Sequence, residues 1–260
     1  MLRALGLWSR EHYDVEIVLE NDQPRYKKIT FKSEGHAHRV ASNLRHYGRT
    51  RHLPALHDQR ANVLWVDYVH GRPCATVDDR MMPEIARCFG RFAGRGSRMR
   101  PLASTPYWQT HLAHLAELRT HGVIDARLHD ELLTRSHHAR PDFIRVGFDY
   151  RDPIGPNLLH RDGCGSICAI DVKNLHQDTL VGEGLAKASD RWLHADRRAY
   201  VFDHLRALGL ADIESSFAFI TLYERTSRVM RKAERDLKLH RRVRRRGFKR
   251  QRLTGLLDTL

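Results

Sequence analysis

The chain has 260 residues, of which 41% are hydrophobic and 29% charged, and it carries a net charge of +14. This composition excludes a disordered chain, and apolar runs such as residues 217–220 are far shorter than the roughly 18 residues that cross a bilayer. No signal-peptide pattern precedes Glu11 and His12, so we expect a cytoplasmic protein without a transmembrane segment.

The first 71 residues are predicted to form a small antiparallel sheet with one main helix. Asn21-Asp22 is a turn signal at hairpin distance between two β-rich runs, and Ser33 is a typical helix N-cap. Strands are predicted at residues 15–19, 25–31 and 62–69, with a helix at 34–47 between the last two. The predicted order is therefore strand, strand, helix, strand.

Beyond residue 71 the pattern is mainly helical, with a short hairpin inside it. Apolar side chains at helical spacing begin after Asp79, and Asp125 is a predicted cap for a later helix. Helices are predicted at 79–93, 107–118, 125–133, 190–208 and 212–239, and strands at 142–148, 158–160 and 167–170. The chain is thus expected to be an α+β protein of two lobes, a small antiparallel sheet lobe and a larger helical lobe.

The segment Tyr150-Arg-Asp-Pro-Ile-Gly-Pro-Asn-Leu-Leu159 carries the chemistry that the sequence reveals. Asp152 and Asn157 are five positions apart on a loop bounded by proline and glycine, and Asp171 follows at the end of the next apolar strand. A hairpin between these segments would bring the three side chains close together. Carboxylate and amide oxygens are the ligands that Mg²⁺ prefers.

This arrangement resembles the catalytic core of the protein-kinase-like superfamily, in which an Asp, four spacers and an Asn precede a hairpin and a metal-binding Asp. The resemblance covers roughly residues 10–190. It implies ATP and Mg²⁺ as cofactors, with Asp152 as the base that accepts the proton of the attacking hydroxyl. Asn157 and Asp171 would be the metal ligands.

Two alternatives weigh against this interpretation. An Asp-x4-Asn pair arises by chance about half a time in a chain of this length, and Asp152 and Asn157 could be simple turn residues. In addition, His160-Arg161-Asp162 spells a better-known kinase triplet, but the residue five positions after Asp162 is Ile167, which cannot bind a metal. We therefore place the loop at Asp152.

The resemblance also implies a strand lysine that binds the nucleotide phosphates and a glutamate on the following helix that pairs with it. The candidates are Lys27 or Lys28 on the second predicted strand and Glu34 at the start of the helix. Lys28 is weakly favoured, and both lysines could equally be exposed residues of an edge strand. The strand at 62–69 and the following residues to Gly71 resemble the hinge that meets adenine.

Departures from the kinase pattern indicate which branches of the superfamily the sequence resembles. No glycine-rich GxGxxG is found near the first strand, and Asp171 is followed by Val172-Lys173 instead of Phe-Gly. These absences argue against a regulated eukaryotic protein kinase. They point to the compact branches, which are the aminoglycoside phosphotransferase-like, lipopolysaccharide core kinase-like and RIO-like proteins.

Most of the net charge lies in one segment near the C-terminus. Residues 228–252 contain thirteen lysines and arginines against Glu234 and Asp236, a net +11. Such a run attracts an anionic acceptor, a membrane surface or nucleic acid. We divide the chain into a sheet lobe (1–71), a helical lobe with the catalytic loop (72–227) and a basic helical tail (228–260).

The sequence therefore predicts a phosphotransferase that moves the γ-phosphoryl group of ATP to a hydroxyl. The acceptor expected from the basic tail is an envelope saccharide such as lipopolysaccharide core, met at the inner membrane face. The alternative is a nucleic-acid-binding RIO-like factor, or a kinase-shaped pseudoenzyme, that acts through the tail.

Overall fold

The computed structural model describes residues 2–10, 13–74 and 78–238, and these contain eleven strands and eight helices. The strands are β1 (Leu2–Arg10), β2 (Tyr13–Glu20), β3 (Gln23–Phe31), β4 (Leu56–Arg60), β5 (Val63–Asp67), β6 (Gly71–Pro73), β7 (Arg98–Pro101), β8 (Phe143–Tyr150), β9 (Leu158–Arg161), β10 (Ile167–Ala169) and β11 (Leu175–Leu180). The helices are α1 (Glu34–Tyr47), α2 (Met82–Gly94), α3 (Tyr107–Thr120), α4 (Ala126–His138), α5 (Glu183–Ser189), α6 (Ala195–Ala207), α7 (Asp212–Ser215) and α8 (Phe217–Lys238).

The N-terminal strands form one antiparallel sheet in the order β1-β2-β3-β5-β4 within the described chain. Asn21 and Asp22 both have positive φ, 51° and 61°, as a two-residue hairpin turn requires, so the predicted β2–β3 hairpin is confirmed. The sequence did not predict β1 or β4. The β4 segment, Leu-His-Asp-Gln-Arg, is poor in β-forming residues, and it is a strand because it pairs with β5 at the sheet edge.

Helix α1 begins and ends where the sequence predicts. The Ser33 side chain accepts a hydrogen bond from the His36 N–H, and the chain leaves the helix through Gly48 at φ 80°. The helix buries Val40 and Tyr47 against the sheet and its neighbours. The side-chain amide of the buried Asn43 donates to the carbonyl of Leu175 at 2.8 Å, which ties α1 to β11 of the second lobe.

Two three-stranded sheets lie in the second lobe, β10-β9-β6 and β11-β8-β7. The predicted hairpin of β9 and β10 is confirmed, with Cys168 opposite Leu159. The sequence missed β6, β7, β11 and α5. Helix α6 begins at Ala195, later than predicted, and the single helix predicted at 212–239 is divided into α7 and α8. Strand β7 reads Arg-Met-Arg-Pro and is exposed, so its pairing with β8 and not its propensity makes it a strand.

The core extends through both lobes as one apolar cluster. Phe31 and Tyr47 from the first lobe and Phe92 and Tyr150 from the second belong to it. A separate cluster lies between α3, α4 and α8. The α+β, two-lobed organisation predicted from the sequence is confirmed.

Candidate functional site

The three residues of the predicted constellation lie around one hairpin. Ala169 lies opposite Leu158 in the β9–β10 pair. The pairing extends one residue further, because the Ile170 N–H donates to the carbonyl of Asn157 at 2.9 Å. Asp171 directly follows Ile170, and Asn157 and Asp171 both line the same cavity. The hairpin thus brings Asn157 beside Asp171, as the spacing predicts.

Asp152 is held from two sides. The Asn157 amide nitrogen donates to Asp152 Oδ2 and to the Asp152 carbonyl, each at 3.0 Å. The Lys187 Nζ lies 2.5 Å from Asp152 Oδ1, and both side chains are about four-fifths buried. The carboxylate therefore has one orientation, which a group that must receive a proton from a positioned substrate requires.

Lys187 reaches Asp152 because α5 starts against the end of β8. A Cβ on Gly184 would lie 2.1 Å from the Tyr150 carbonyl oxygen, so only glycine allows this approach. The buried carboxylate of Asp149 accepts hydrogen bonds from the Gly184 N–H at 2.8 Å and the Gly182 N–H at 3.4 Å. Burial, and then the nearby Glu183, raise the pKa of Asp149 to about 7.

The loop that carries Asp152 is also fixed through its neighbour Arg151. Arg151 forms an ion pair with Glu183, which is almost completely buried. Glu183 also accepts a hydrogen bond from the Thr179 hydroxyl at 3.1 Å. Helix α5 therefore supports the loop through both Arg151 and Asp152.

Asp171 has two polar partners at one oxygen. Its Oδ2 lies 3.1 Å from Lys173 Nζ and accepts from the Asn174 amide at 3.0 Å. Lys173 also donates to the Tyr13 hydroxyl, and its Nζ lies 3.9 Å from the centre of the Tyr13 ring. Lys173, which departs from the kinase pattern, thus links Asp171 to strand β2 of the first lobe.

The structure separates Lys27 from Lys28. Lys28 lies opposite Glu16 in the β2–β3 register and forms an ion pair with it at 3.0 Å. Lys27 lies opposite Ile17 on the other face of the sheet, lines the cavity with Asp171, and donates to the Ile170 carbonyl at 3.3 Å. Of the two predicted candidates, Lys27 therefore faces the cavity and Lys28 the opposite side of the sheet, because successive side chains of a strand point to opposite faces.

Glu34, the predicted partner of the strand lysine, is not part of the cavity lining that contains Lys27. It is exposed in the first turn of α1, and no ion pair to Lys27 or Lys28 is found for it in the described part of the chain. A negative charge in this turn is favourable to the helix dipole. We interpret Glu34 as a helix-terminus residue.

The cavity beside Asn157 and Asp171 has a volume of about 490 Å³. This is within the usual range of small-molecule sites. Its wall combines β2 and β3, the segment from Asp67 to Gly71, and the hairpin of β9 and β10 with the residues that flank it. Gly71 is needed there, since a Cβ would lie 2.4 Å from the His160 carbonyl oxygen across the β6–β9 pair. Apolar side chains dominate the lining, among them Val15, Ile17, Val69, Leu159 and Ile170.

The donor set fits Mg²⁺ bound together with phosphates. Because Asn157 turns its amide nitrogen toward Asp152, the amide oxygen is the atom left to face a ligand. Asp171 keeps Oδ1 in addition to the Oδ2 that contacts Lys173. Within the described residues no group of three or more His, Cys, Asp or Glu side chains gathers to hold a metal, and Mg²⁺ commonly takes one or two protein oxygens, with water and substrate phosphates completing its shell.

The predicted tail boundary falls inside helix α8. The helix continues through residue 228, and Val229, Met230 and Ala233 are buried against α3 and α4. Residues 239–260 lie outside the described residues, so the predicted contact of the tail with a membrane or nucleic acid stays a prediction. The same holds for the domain division at residues 71 and 227. Among the described helices, none has the length and apolar character of a membrane span.

Sequence reasoning missed Lys187, Asp149 and Glu183. Their contacts to the catalytic loop cross more than thirty positions of the chain, so no local spacing reveals them. One available signal was Gly182-Glu-Gly184, two glycines at the start of a short helix, which indicate close backbone approach.

Comparison with known proteins identifies the fold. No protein-family model matches the chain, and no curated protein matches its sequence. Solved structures do match. A macrolide 2′-phosphotransferase from Brachybacterium faecium is similar with a TM-score of 0.66 at 10% identity, over 98% of this chain and 91% of that one.

Two further phosphotransferase structures give the same result. A type I macrolide 2′-phosphotransferase matches with a TM-score of 0.64 at 13% identity, over 98% of this chain and 92% of the other. A spectinomycin phosphotransferase in complex with ADP and spectinomycin matches with a TM-score of 0.59 at 12% identity, over 99% and 88% of the two chains. The chain therefore has the kinase-like fold of the compact bacterial phosphotransferases, and the fold expected from the sequence is confirmed.

Proposed function

We propose that this protein is an ATP- and magnesium-dependent phosphotransferase that moves the γ-phosphoryl group to a hydroxyl. The observation that carries the proposal is the fixed arrangement of Asp152, Asn157 and Asp171 around one hairpin, with the latter two lining a cavity of about 490 Å³. The fold supports it, since the matching structures are phosphotransferases of macrolides, aminoglycosides and spectinomycin.

Asp152 acts as the base in this proposal. The acceptor oxygen attacks the γ-phosphorus, the bond from that phosphorus to the bridging oxygen breaks, ADP leaves, and the hydroxyl proton moves to the Asp152 carboxylate. Lys187 and Asn157 keep the carboxylate in one orientation during this step. Orientation is effective because a misplaced base loses much of its contribution to the rate.

Lys27 binds the nucleotide phosphates in this proposal. It projects into the cavity from β3, on the same side as Asp171. The oxygens of Asn157 and Asp171 would hold Mg²⁺, which neutralises charge on the phosphate oxygens. Lys173 contacts Asp171 Oδ2 and supplies a positive charge at the same carboxylate before nucleotide binds.

We propose further that the acceptor is an anionic saccharide of the cell envelope, such as lipopolysaccharide core, reached from the cytoplasm at the inner membrane. The support is the net +11 of residues 228–252, which favours encounter with an anionic acceptor or an anionic surface. The cytoplasmic location is likewise part of the proposal.

The first experiment measures the melting temperature with and without Mg-ATP. Ligand at 100 times its dissociation constant stabilises the folded state by about 2.7 kcal/mol, a shift of about 5–10 °C for a chain of this size. We expect the shift to require magnesium and to be lost in Asp171→Ala. Asp162→Ala is the matched control, since Asp162 is an exposed aspartate in the turn of the same hairpin. Equal shifts in both variants, or none in the parent, would contradict the nucleotide site.

A second experiment separates transfer from binding and tests the acceptor. The parent is incubated with ATP labelled in the γ-phosphoryl group, and label is measured in lipopolysaccharide core, in a macrolide and in an aminoglycoside. Label in the core supports the acceptor proposal. Label in an antibiotic alone would refute that acceptor but support phosphoryl transfer. If the protein binds Mg-ATP, but no product is labelled and no ADP is released, the protein is a pseudoenzyme.

A further inference from the structure

The cavity lined by Lys27, Asn157 and Asp171, which we propose to bind nucleotide, is called the nucleotide cavity below. A second cavity, of about 840 Å³, shares no lining residue with it. Its walls are the segment before β4, one face of α2, and the end of α6 with the residues that follow it. The lining consists of Thr50, Arg51, His52, Arg87, Gly90, Arg91, Gly94, Arg95, His204, Leu208 and Leu210. We refer to it as the α2 groove. Its lining contains four arginines and no acidic residue.

The arginines of α2 form a row along the groove. Arg87, Arg91 and Arg95 are four positions apart, so they lie on one face of the helix at intervals of about 6 Å. Glu84 balances part of the charge, since it pairs with Arg87 and lies 3.6 Å from Arg51. Within the described residues, Arg91 and Arg95 form no ion pair with any acidic side chain.

The charges of this row have opposing effects on α2. Arg91 lies in the last turn, where the helix dipole favours a positive charge. Like charges at i,i+4 spacing destabilise a helix by about 0.2–0.5 kcal/mol per pair. Arg91 has such a neighbour in Arg87, Arg95 directly follows the last residue of α2, and all three side chains are exposed. A ligand that brings negative charge to the groove would remove this repulsion.

One arginine is held in position before any ligand binds. The Arg95 guanidinium carbon lies 5.6 Å from the centre of the Tyr47 ring, a cation–π arrangement. Gly48 leaves room for it, since a Cβ on Gly48 would lie 2.9 Å from an Arg95 terminal nitrogen. A guanidinium held in one place loses less entropy on binding, and its planar fork fits the oxygens of a phosphate group.

The end of α6 contributes an apolar part to the groove. Gly90 allows α6 to approach, since a Cβ there would lie 2.7 Å from Leu208 Cδ1. Leu208 is 52% exposed, unusual for a large apolar side chain. As part of the lining, it gives the groove a surface for the carbon scaffold of a ligand.

We propose that the α2 groove binds a ligand with two or more phosphate groups on one organic scaffold. The spacing of the arginines suits phosphates several ångströms apart, the volume suits a small molecule or a headgroup, and Leu208 suits the carbon part. This ligand could be a soluble metabolite or the headgroup of a phosphorylated lipid. The proposal does not depend on the phosphoryl transfer proposed for the other cavity.

The test compares two double variants that remove the same charge. Arg91→Gln with Arg95→Gln changes the groove, while Arg100→Gln with Arg119→Gln changes two exposed arginines outside it, for which the described residues provide no ion-pair partner. Binding of inositol hexakisphosphate is measured by titration calorimetry, and binding to phosphatidylcholine vesicles with or without phosphatidylinositol bisphosphate by sedimentation. We expect the groove variant to lose at least tenfold in affinity and the control variant less than twofold.

Two further variants sharpen the result. Leu208→Glu places a negative charge on the exposed wall and is expected to weaken binding about as much as the arginine changes, whereas Leu208→Ala has a small effect. Lys27→Ala tests the other cavity and is expected to leave polyphosphate binding unchanged. Loss of binding in Lys27→Ala alone would place the probe in the nucleotide cavity and overturn the proposal.

The arms also assign the source of the ligand. Groove-dependent binding of the soluble polyphosphate supports a metabolite, and groove-dependent binding to the phosphatidylinositol bisphosphate vesicles alone supports a lipid headgroup. An equal loss of affinity in both double variants would show that the probes bind through net positive charge and not through the groove. If the parent binds neither probe, the proposed site is refuted. Groove-dependent binding of a single-stranded RNA, without binding of the other two probes, would also overturn the proposal.

Discussion

The nucleotide cavity and the α2 groove hold their positive charges in opposite ways. Beside the first, Lys187 lies against Asp152 and Lys173 against Asp171, and within it Lys27 contacts the Ile170 carbonyl. In the second, Arg91 and Arg95 have no acidic partner among the described residues. Paired charges in a half-buried cleft fix geometry, which a reaction needs, whereas unpaired charges on an exposed face supply attraction, which binding needs.

The largest effect is expected from the carboxylate at the centre of the paired region. Asp152→Asn keeps the shape but cannot accept the hydroxyl proton, and we expect phosphoryl transfer to fall about 10³-fold, within the usual contribution of a general base. The measurement is kcat for the acceptor that is labelled in the transfer assay. Asp162→Asn is the control and should retain the parent rate. Activity within tenfold of the parent in Asp152→Asn would place the base elsewhere.

The pH dependence of stability tests the role of Asp149, which accepts hydrogen bonds from the start of α5. Its pKa is raised to about 7 in the folded state, mainly by burial, so the stability associated with its bound proton is complete below about pH 4 and is lost as the pH rises toward 7. The rise of the pKa from the ordinary aspartate value to about 7 corresponds to a loss of about 4 kcal/mol, at about 1.4 kcal/mol per pH unit.

The comparison variant is Asp149→Asn, which cannot titrate. We expect the free energy of unfolding of the variant, minus that of the parent, to increase between pH 4 and pH 7 in urea titrations, since the other titrating groups cancel in the difference. A constant difference across this range would show that Asp149 is ionised throughout.

The two lysines of β3 provide a matched pair. Lys27→Met removes a charge that faces the cavity, and we expect kcat/KM for ATP to fall about 10²-fold, equivalent to about 2.7 kcal/mol. Lys28→Met removes the ion pair with Glu16 on the other face, a change of less than about 1 kcal/mol in stability. The reverse pattern would restore Lys28 as the phosphate-binding residue.

Lys187 is expected to act as a positioning residue. Lys187→Met leaves one Asp152 oxygen without its cation, and we expect kcat to fall about tenfold while KM for ATP stays the same. Lys187→Arg should recover part of the loss, because it restores the charge. A change in KM alone would mean that Lys187 serves nucleotide binding and not the orientation of Asp152.

The smallest effect is expected on the unpaired side. Arg91→Gln removes the like-charge contact with Arg87 and also the favourable positive charge in the last turn of α2, and we expect the free energy of unfolding to change by less than about 0.5 kcal/mol, since the two effects oppose each other. Urea titration at low salt measures it. A loss of stability above 1 kcal/mol would reveal a structural partner for Arg91 and would weaken the contrast between the two regions.

The parts of the site that sequence could predict are those formed by neighbouring segments. Asp152, Asn157 and Asp171 lie on consecutive pieces of one hairpin, so their spacing predicts their proximity. The alternation of β3 shows that Lys27 and Lys28 face opposite ways, but both faces of this strand are partly covered. Only the ion pair of Lys28 with Glu16 and the position of the cavity decide which lysine faces the cavity.

The parts that could not be predicted depend on contacts between distant segments. Lys187 meets Asp152 because Gly184 packs on Tyr150, a close approach with no local pattern. Strands β4 and β7 have polar sequences and exist through their partners, so propensity misses them. The tail is divided from the helical lobe at residue 227 because the basic residues begin there. Met230, which lies beyond this division, is buried because α8 packs against α3 and α4.

The hydrogen bond from Asn43 to the Leu175 carbonyl has a consequence for regulation. In protein kinases, activity is commonly controlled by the position of a helix in the small lobe. In this chain an outward movement of α1 would leave a buried amide and a buried carbonyl without partners, at about 1–3 kcal/mol for each. We therefore expect a constitutively assembled protein, whose output in the cell follows the supply of nucleotide and acceptor and the amount of protein made.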